Sequence, residues 1–225
     1  DVWLNGRLAK IYGVDLPPDA AFRKIDFDPA HRAGVLSHPY LLANLAYTNS
    51  SSPIHRGVFI SRSVLGRVLR PPATAVAPLP AELHADLSTR QRVALQTQPE
   101  ACQGCHAMIN PLGFTLENFD AIGRYRELEK NHPVDATGSY LTQAGAIEKF
   151  QGVKDMANFI ATSDESHTAF VKQLEVLART ADVTLVLSSS ETGAPKSLLE
   201  SLHAAALRSN RLAIVMVDDC HATGF

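Results

Sequence analysis

A mainly α fold, with long irregular loops and at most a small β-hairpin, is predicted by this sequence. Apolar residues recur at helical spacing in three stretches, residues 53–69, 153–161 and 164–178. Proline and glycine interrupt regular structure between them, in residues 71–80 and again in 131–145, where we expect the hairpin. Hydrophobic residues make up 45% of the chain, so these helices can share a buried core.

The N-terminal elements are expected to be short. An apolar helical stripe runs through residues 2–12, and Gly13 is a typical helix stop. Apolar and charged residues alternate in 22–27, which predicts a short strand or an extended loop. A further helix is expected from about Pro39 to Tyr47, because proline is well tolerated in the first turn.

The later elements are predicted from capping and periodicity. Ser88 and Gln91 have the spacing of a capping box, which predicts a helix that ends near Thr97. Residues 181–187 alternate like a strand, and 195–207 has the pattern of an amphipathic helix. Residues 212–217 form a short apolar run that suits either a helix or a strand.

One motif carries most of the chemical information. Cys102 and Cys105 are separated by two residues, and His106 follows directly. Two thiols at this spacing can form thioether bonds to the vinyl groups of haem, and the adjacent histidine then ligates the iron. One helical turn brings the three positions to one face. The motif therefore predicts covalent haem c attachment, with His106 as the proximal iron ligand.

Other uses of the two cysteines remain open. A zinc site would need two more ligands, and Cys220 with His221 is the pair that the chain offers. Adjacent ligands rarely chelate one ion comfortably. A thioredoxin-type dithiol needs a preceding strand, whereas a helix and a loop are predicted here. A purely structural role for Cys102 and Cys105 is the third alternative.

The residues that follow the motif allow two interpretations. A dense apolar cluster suits the wall of a haem pocket or an ordinary core: Ile109, Leu112, Phe114, Leu116 and Phe119. Glu117 and Asp120 are expected to be surface or capping residues, since no catalytic partner is evident beside them. Upstream, Arg56 is predicted either to lie on a solvated basic helix face or to bond a haem propionate.

Bulk properties narrow the functional classes. The chain has 225 residues and a net charge of −2, which argues against non-specific binding to nucleic acid. No apolar run reaches the roughly 18 residues of a membrane span. Because the sequence begins with Asp1 rather than methionine, we expect a fragment or a processed chain, with any signal peptide upstream.

Several segments together resemble one protein family. They are RAGVL at 32–36, SPIHRGV at 52–58 and the long segment from Cys102 to Arg126. In this order they look like a secreted, cytochrome-c-containing multidomain family of planctomycete-type bacteria, with a domain of unknown function 1588 as its core. The flanking segments at 4–14 and 135–171 resemble domains of unknown function 1592 and 1585.

The resemblance implies an organisation for the chain. Residues 1–33 would be the C-terminal end of a preceding helical domain, and 34–130 the haem-attachment domain with a cytochrome c-like helical fold. Residues 131–225 would form a small C-terminal helical domain. The chain would then belong to a larger parent protein that is periplasmic or extracellular.

The predicted function is covalent haem binding and electron transfer, with a redox partner protein. The alternative is a non-redox secreted module, structural or carbohydrate-associated, in which the cysteines are incidental or bind zinc. No catalytic residues are predicted, so enzymatic activity stays undecided. For the second axial position of the iron, His167 is the first candidate and Met156 the second, since a methionine or histidine there suits electron transfer.

Overall fold

The structure is a computed structural model that describes residues 2–27, 30–69, 85–180, 183–188 and 212–217. It divides into two compact units. The first comprises residues 1–62 and 67–159, and the second comprises residues 63–66 and 160–225. The described elements are mainly helical with small two-stranded sheets, so the predicted fold class is confirmed.

The N-terminal segment was predicted to be helical throughout residues 2–12, but its first residues form a strand. Strand β1 is Val2–Leu4 and pairs antiparallel with β2, Arg23–Ile25. Helix α1, Gly6–Tyr12, lies between them. The side chain of Asn5 accepts hydrogen bonds from two backbone N–H groups of the first turn, which fixes the helix start. Gly13 ends the helix with a φ of 70°, as its position predicted.

Two short helices follow in the first unit. A 3₁₀ turn, Gly34–Ser37, precedes α2, Pro39–Asn44, and α3 is Pro53–Phe59. The helix predicted for 53–69 is therefore shorter than expected. Its α-helical part passes into a π-helical turn, Ile60–Val64. The predictions for 71–80 lie outside the described residues.

Helices α4 and α5 lead into and contain the cysteine motif. Helix α4 is Thr89–Gln96, and α5 is Glu100–Phe114. The predicted capping box is confirmed: the Gln91 N–H donates to the Ser88 hydroxyl at 3.2 Å, and the Ser88 N–H donates to the Gln91 side chain at 2.8 Å. Two of the otherwise unpaired donors at the start of α4 are thereby satisfied.

Close contact between α3 and α5 positions the motif helix. A Cβ atom added to Gly57 would overlap the carbonyl oxygen of Ile109, and one added to Gly113 would overlap that of Pro53. Each helix thus contributes one glycine at the point where the other helix's backbone approaches. Only residues without a side chain permit this separation, so α5 is held rigidly against α3.

Two hairpins and a helix complete the first unit. The first pairs β3, Leu128–Glu129, with β4, His132–Pro133. The second pairs β5, Gly138–Leu141, with β6, Ile147–Phe150. A hairpin that includes Tyr140 and Leu141 is thus confirmed, but its second strand lies beyond the predicted range 131–145. Helix α6, Val153–Thr162, agrees closely with the predicted range 153–161, and its last residues belong to the second unit.

The second unit contains α7, Asp164–Thr180, again close to the predicted range. It also contains β7, Val183–Ser188, and β8, Leu212–Val217, which pair in parallel. The alternation in 181–187 therefore predicted a real strand, and the ambiguous run 212–217 is a strand as well. The helix predicted for 195–207 lies outside the described residues.

Candidate functional site

The cysteine motif lies on the exposed beginning of α5. Cys102 is half-buried, Cys105 is exposed, and both are free thiols. His106 is half-buried. The helix changes character after this turn, because its residues from Ile109 to Phe114 are mostly buried. The same helix therefore anchors itself in the core by one end and presents the three motif side chains at the other.

The three motif side chains lie on one side of α5. The three motif positions fall within one helical turn, three and four residues apart, so their side chains share a face. A Cβ atom added to Gly104, between the two cysteines, would meet no described atom within 4 Å. Gly104 lies two residues from both Cys102 and His106, so its open surroundings belong to the opposite side of α5 and not to the motif face.

A hydrogen-bonded chain behind His106 joins α5 to the end of α4. The Nδ1 atom of His106 lies 2.9 Å from Oδ1 of Asn110, one helical turn further on. The Asn110 amide nitrogen donates to Oγ1 of Thr97 at 2.7 Å, and the Thr97 hydroxyl donates to the Val93 carbonyl at 2.8 Å. The histidine ring is thus held from one side only. In the described part of the chain its Nε2 atom has no hydrogen-bond partner.

The apolar cluster after the motif is packed as core. All five of its side chains are buried: Ile109, Leu112, Phe114, Leu116 and Phe119. The guanidinium of Arg90 lies 4.3 Å from the ring centre of Phe114, and that of Arg32 lies 5.4 Å from the ring centre of Phe119. Since these rings already have protein neighbours, the ordinary-core interpretation is favoured over a haem-pocket wall.

Arg56 is buried, so neither interpretation from the sequence was correct. Its side chain is 0% exposed. It donates to the backbone carbonyls of Leu116 at 2.9 Å, Phe119 at 2.8 Å and Asp120 at 2.7 Å. The planar guanidinium can satisfy several carbonyls of one turn at once. Arg56 therefore holds the turn after α5 and has no exposed surface to offer a propionate.

Glu117 is also buried, where a surface position was expected. It is 1% exposed, and its Oε1 lies 3.6 Å from Nη1 of Arg56. Its Oε2 accepts from the Ser51 hydroxyl at 2.9 Å and from Arg126 at 3.2 Å. Asp120 does cap a turn, since its Oδ1 accepts from the N–H groups of Ile122 and Arg124. Apolar neighbours at 116 and 119 were the available signal that 117 is enclosed.

Burial shifts the pKa values of Glu117 and Arg56. Loss of water raises the pKa of Glu117, against the opposing attraction of Arg56 and Arg126 and the Ser51 hydrogen bond. Burial likewise lowers the pKa of Arg56 to about 10, which leaves it charged at neutral pH. The cluster is a buried structural ion network that joins α3 to the turn after α5.

The raised pKa of Glu117 predicts a pH dependence of stability. Because the folded protein binds this proton more tightly than the unfolded chain does, the contribution of Glu117 is fully present below its ordinary pKa of 4.5. It is lost as the pH rises through the folded pKa. We expect the free energy of unfolding of the parent, minus that of Glu117→Gln, to decrease from acid toward neutral pH. Urea titrations of both proteins at several pH values measure this difference, and a constant or rising difference would contradict the prediction.

The two candidates for the second axial position have structural surroundings of their own. Met156 is 0% exposed, and its sulfur lies 3.1 Å from the Thr115 hydroxyl oxygen, which donates its proton to the Leu112 carbonyl at 2.6 Å. That environment is typical of a methionine that fills a core. His167 lies in the second unit, and its Nε2 is 3.0 Å from the Ala161 carbonyl. Because a carbonyl only accepts, Nε2 carries the proton there. To bind iron, His167 would need to lose this hydrogen bond, and Met156 would need to leave its buried position.

The zinc alternative depends on residues that are not described. Among the described residues, no three histidine, cysteine or acidic side chains are grouped as a metal ion requires. Cys220 and His221, which would complete a zinc site with Cys102 and Cys105, lie outside the described residues.

Within the described residues, no helix is both long enough and apolar enough to cross a membrane.

Comparison with known proteins adds the family context. Residues 32–129 match PSCyt3, the family model of a protein of unknown function (DUF1588). The match covers the motif, α2 to α5 and the buried ion network, and confirms the core of the predicted resemblance. The name of the DUF1588 model indicates a cytochrome-like family. The resemblance of the flanking segments and the three-part division at residues 33 and 130 stay predictions. Searches of curated proteins and of solved structures found no match.

Proposed function

We propose that this chain is a haem c-binding module that transfers electrons. The observation that carries the proposal is the arrangement of Cys102, Cys105 and His106 on one exposed turn of α5. The thiols are free, and the Nε2 atom of the histidine has no described partner. These donors fit haem c, which needs two thioether bonds and one imidazole ligand.

Each residue has a distinct role in this proposal. Cys102 and Cys105 would hold the macrocycle through thioether bonds, and His106 would ligate the iron through Nε2. When bound, haem supplies an iron centre that accepts and releases one electron. The contact between α3 and α5 holds the attachment turn in place, which limits the rearrangement that accompanies a change of charge. The cytochrome-like name of the matched DUF1588 family supports this assignment.

Location and partners follow from the same chemistry. Haem c is attached outside the cytoplasm, so we propose a periplasmic or extracellular location for the parent protein. A redox partner protein is proposed to dock near α5. The second axial ligand stays a prediction, with His167 first and Met156 second. Binding to iron would require His167 to leave the Ala161 carbonyl, or Met156 to leave the Thr115 hydroxyl.

The test is covalent attachment in a host that matures c-type cytochromes. Periplasmic expression of the chain is expected to yield a red protein whose haem survives denaturing electrophoresis. The double variant Cys102→Ala/Cys105→Ala is expected to lose all haem staining, because no thioether can form. Cys220→Ala is the control, since it removes a thiol that lies outside the motif. It is expected to stain like the parent.

Two outcomes would contradict the proposal. Haem staining retained by the double variant would show attachment elsewhere. A folded parent protein that carries no haem after expression in this host would favour the structural or carbohydrate-associated alternative. Circular dichroism of each sample establishes that the chain is folded, so lost staining is not confused with lost structure.

A further inference from the structure

The hydrogen-bonded chain behind His106 has a direction, and that direction is determined at its far end. The Thr97 hydroxyl lies 2.8 Å from the Val93 carbonyl. A carbonyl oxygen only accepts, so the single hydroxyl proton of Thr97 is committed to it. The same oxygen can then take part in a second hydrogen bond only as an acceptor.

This commitment orients the Asn110 amide. The amide atom 2.7 Å from Thr97 Oγ1 must donate, so it is the nitrogen and not the oxygen. The amide oxygen consequently faces His106, and its distance to Nδ1 is 2.9 Å. A flipped amide would set two acceptors against each other at Thr97.

The amide oxygen in turn determines the tautomer of the imidazole. Since Oδ1 of Asn110 accepts, Nδ1 of His106 must carry a proton. A neutral ring protonated at Nδ1 has its lone pair on Nε2, which is the atom that an iron ligand requires. The whole chain of bonds therefore runs from His106 through Asn110 and Thr97 to the Val93 carbonyl.

We infer that Asn110 and Thr97 are positioning residues that hold His106 as its Nδ1–H tautomer before any haem is bound. Thr97 is 3% and Asn110 is 7% exposed, so water cannot readily replace either partner. The bond to Nδ1 would also make the ring a stronger electron donor to a bound iron, which would stabilise the more highly charged ferric state. The tautomer stands independently of haem, and only its effect on the iron rests on the proposed function.

The first experiment measures the tautomer in the haem-free 225-residue chain by nitrogen NMR of the imidazole ring. The parent is expected to show His106 protonated at Nδ1. Asn110→Ala is expected to lose this preference, because no acceptor remains at Oδ1. Asn118→Ala is the matched control, since it removes an amide that donates to the Arg126 carbonyl at 3.0 Å, away from the motif. A parent protonated at Nε2, or an Asn110→Ala protein that keeps the parent spectrum, would overturn the inference.

The second experiment measures the reduction potential of the haem-loaded chain. Losing the bond in Asn110→Ala is expected to disfavour ferric haem by about tenfold, at the low end of effects seen for such supporting residues. For a one-electron couple, that factor corresponds to a rise of about 59 mV. Asn110→Asp supplies a stronger acceptor, so its potential is expected to fall below that of the parent. Thr97→Val is expected to shift the potential in the direction of Asn110→Ala, because the amide loses its orientation.

The outcomes separate the two proposals. Haem attached with a potential that does not change in Asn110→Ala or Asn110→Asp would overturn the positioning role and leave the proposed function standing. A parent with the Nδ1–H tautomer that never acquires haem would overturn the proposed function and leave the tautomer inference standing. A purely structural role for Asn110 would lower stability without moving the potential in opposite directions for alanine and aspartate.

Discussion

Alanine in place of Gly57 or Gly113 is expected to destabilise the protein by about 3 kcal/mol or more. In each case the added methyl group would overlap a backbone carbonyl of the opposite helix, that of Ile109 or that of Pro53. A flexible side chain could move aside, but a helix backbone cannot do so without separating α3 from α5. The loss is therefore steric, and it outweighs the gain in helix propensity that alanine normally brings.

Denaturant unfolding measures this effect, with Gly104→Ala as the control. Gly104 lies in α5 but faces open space. Alanine there is expected to stabilise the protein by about 0.5–1 kcal/mol, as for glycine in a helix interior. A lower midpoint with an unchanged slope is expected for Gly57→Ala and Gly113→Ala. Midpoints equal to that of the parent would show that the two helices are not in backbone contact.

Arg56→Met is expected to cost about 3–5 kcal/mol of stability. The substitution keeps an unbranched apolar stem and removes the guanidinium. Glu117 then remains buried with Arg126 and Ser51 but without its buried cation. Three backbone carbonyls of the turn after α5 lose their donor as well. Arg56→Lys is expected to recover only part of this loss, because one ammonium cannot reproduce the fork of donors.

Arg124→Ala is the control for the arginine series. Arg124 also pairs with a carboxylate, Asp120 at 2.7 Å, but its side chain is 59% exposed. Its loss is expected to cost less than about 1 kcal/mol. Adding Glu117→Leu to Arg56→Met is expected to restore part of the stability, because it removes the buried carboxylate that has lost Arg56. Equal losses for Arg56→Met and Arg124→Ala would contradict the buried network.

Local patterns in the sequence were enough to predict the elements and the motif. The capping box at Ser88 and Gln91, the hairpin that contains Tyr140 and Leu141 and the two helices that follow depend on interactions between residues a few positions apart. The motif Cys102-x-x-Cys105-His106 needs only one helical turn, so its geometry was also predictable. Helix length was less so, since α3 ends at Phe59 in a π-helical turn.

Long-range contacts could be decided only by the tertiary structure. Arg56 meets carbonyls about sixty residues further along the chain, so its own helical pattern contained no sign of burial. The glycine contacts between α3 and α5 depend on how two helices cross. The bond from Asn110 to Thr97 links the end of one helix to the next. The sequence by itself determined the motif on which the proposed haem attachment depends, because its three residues lie within one helical turn. The packing of distant segments decided how the imidazole is held, since no residue near His106 specifies Thr97 as its indirect partner.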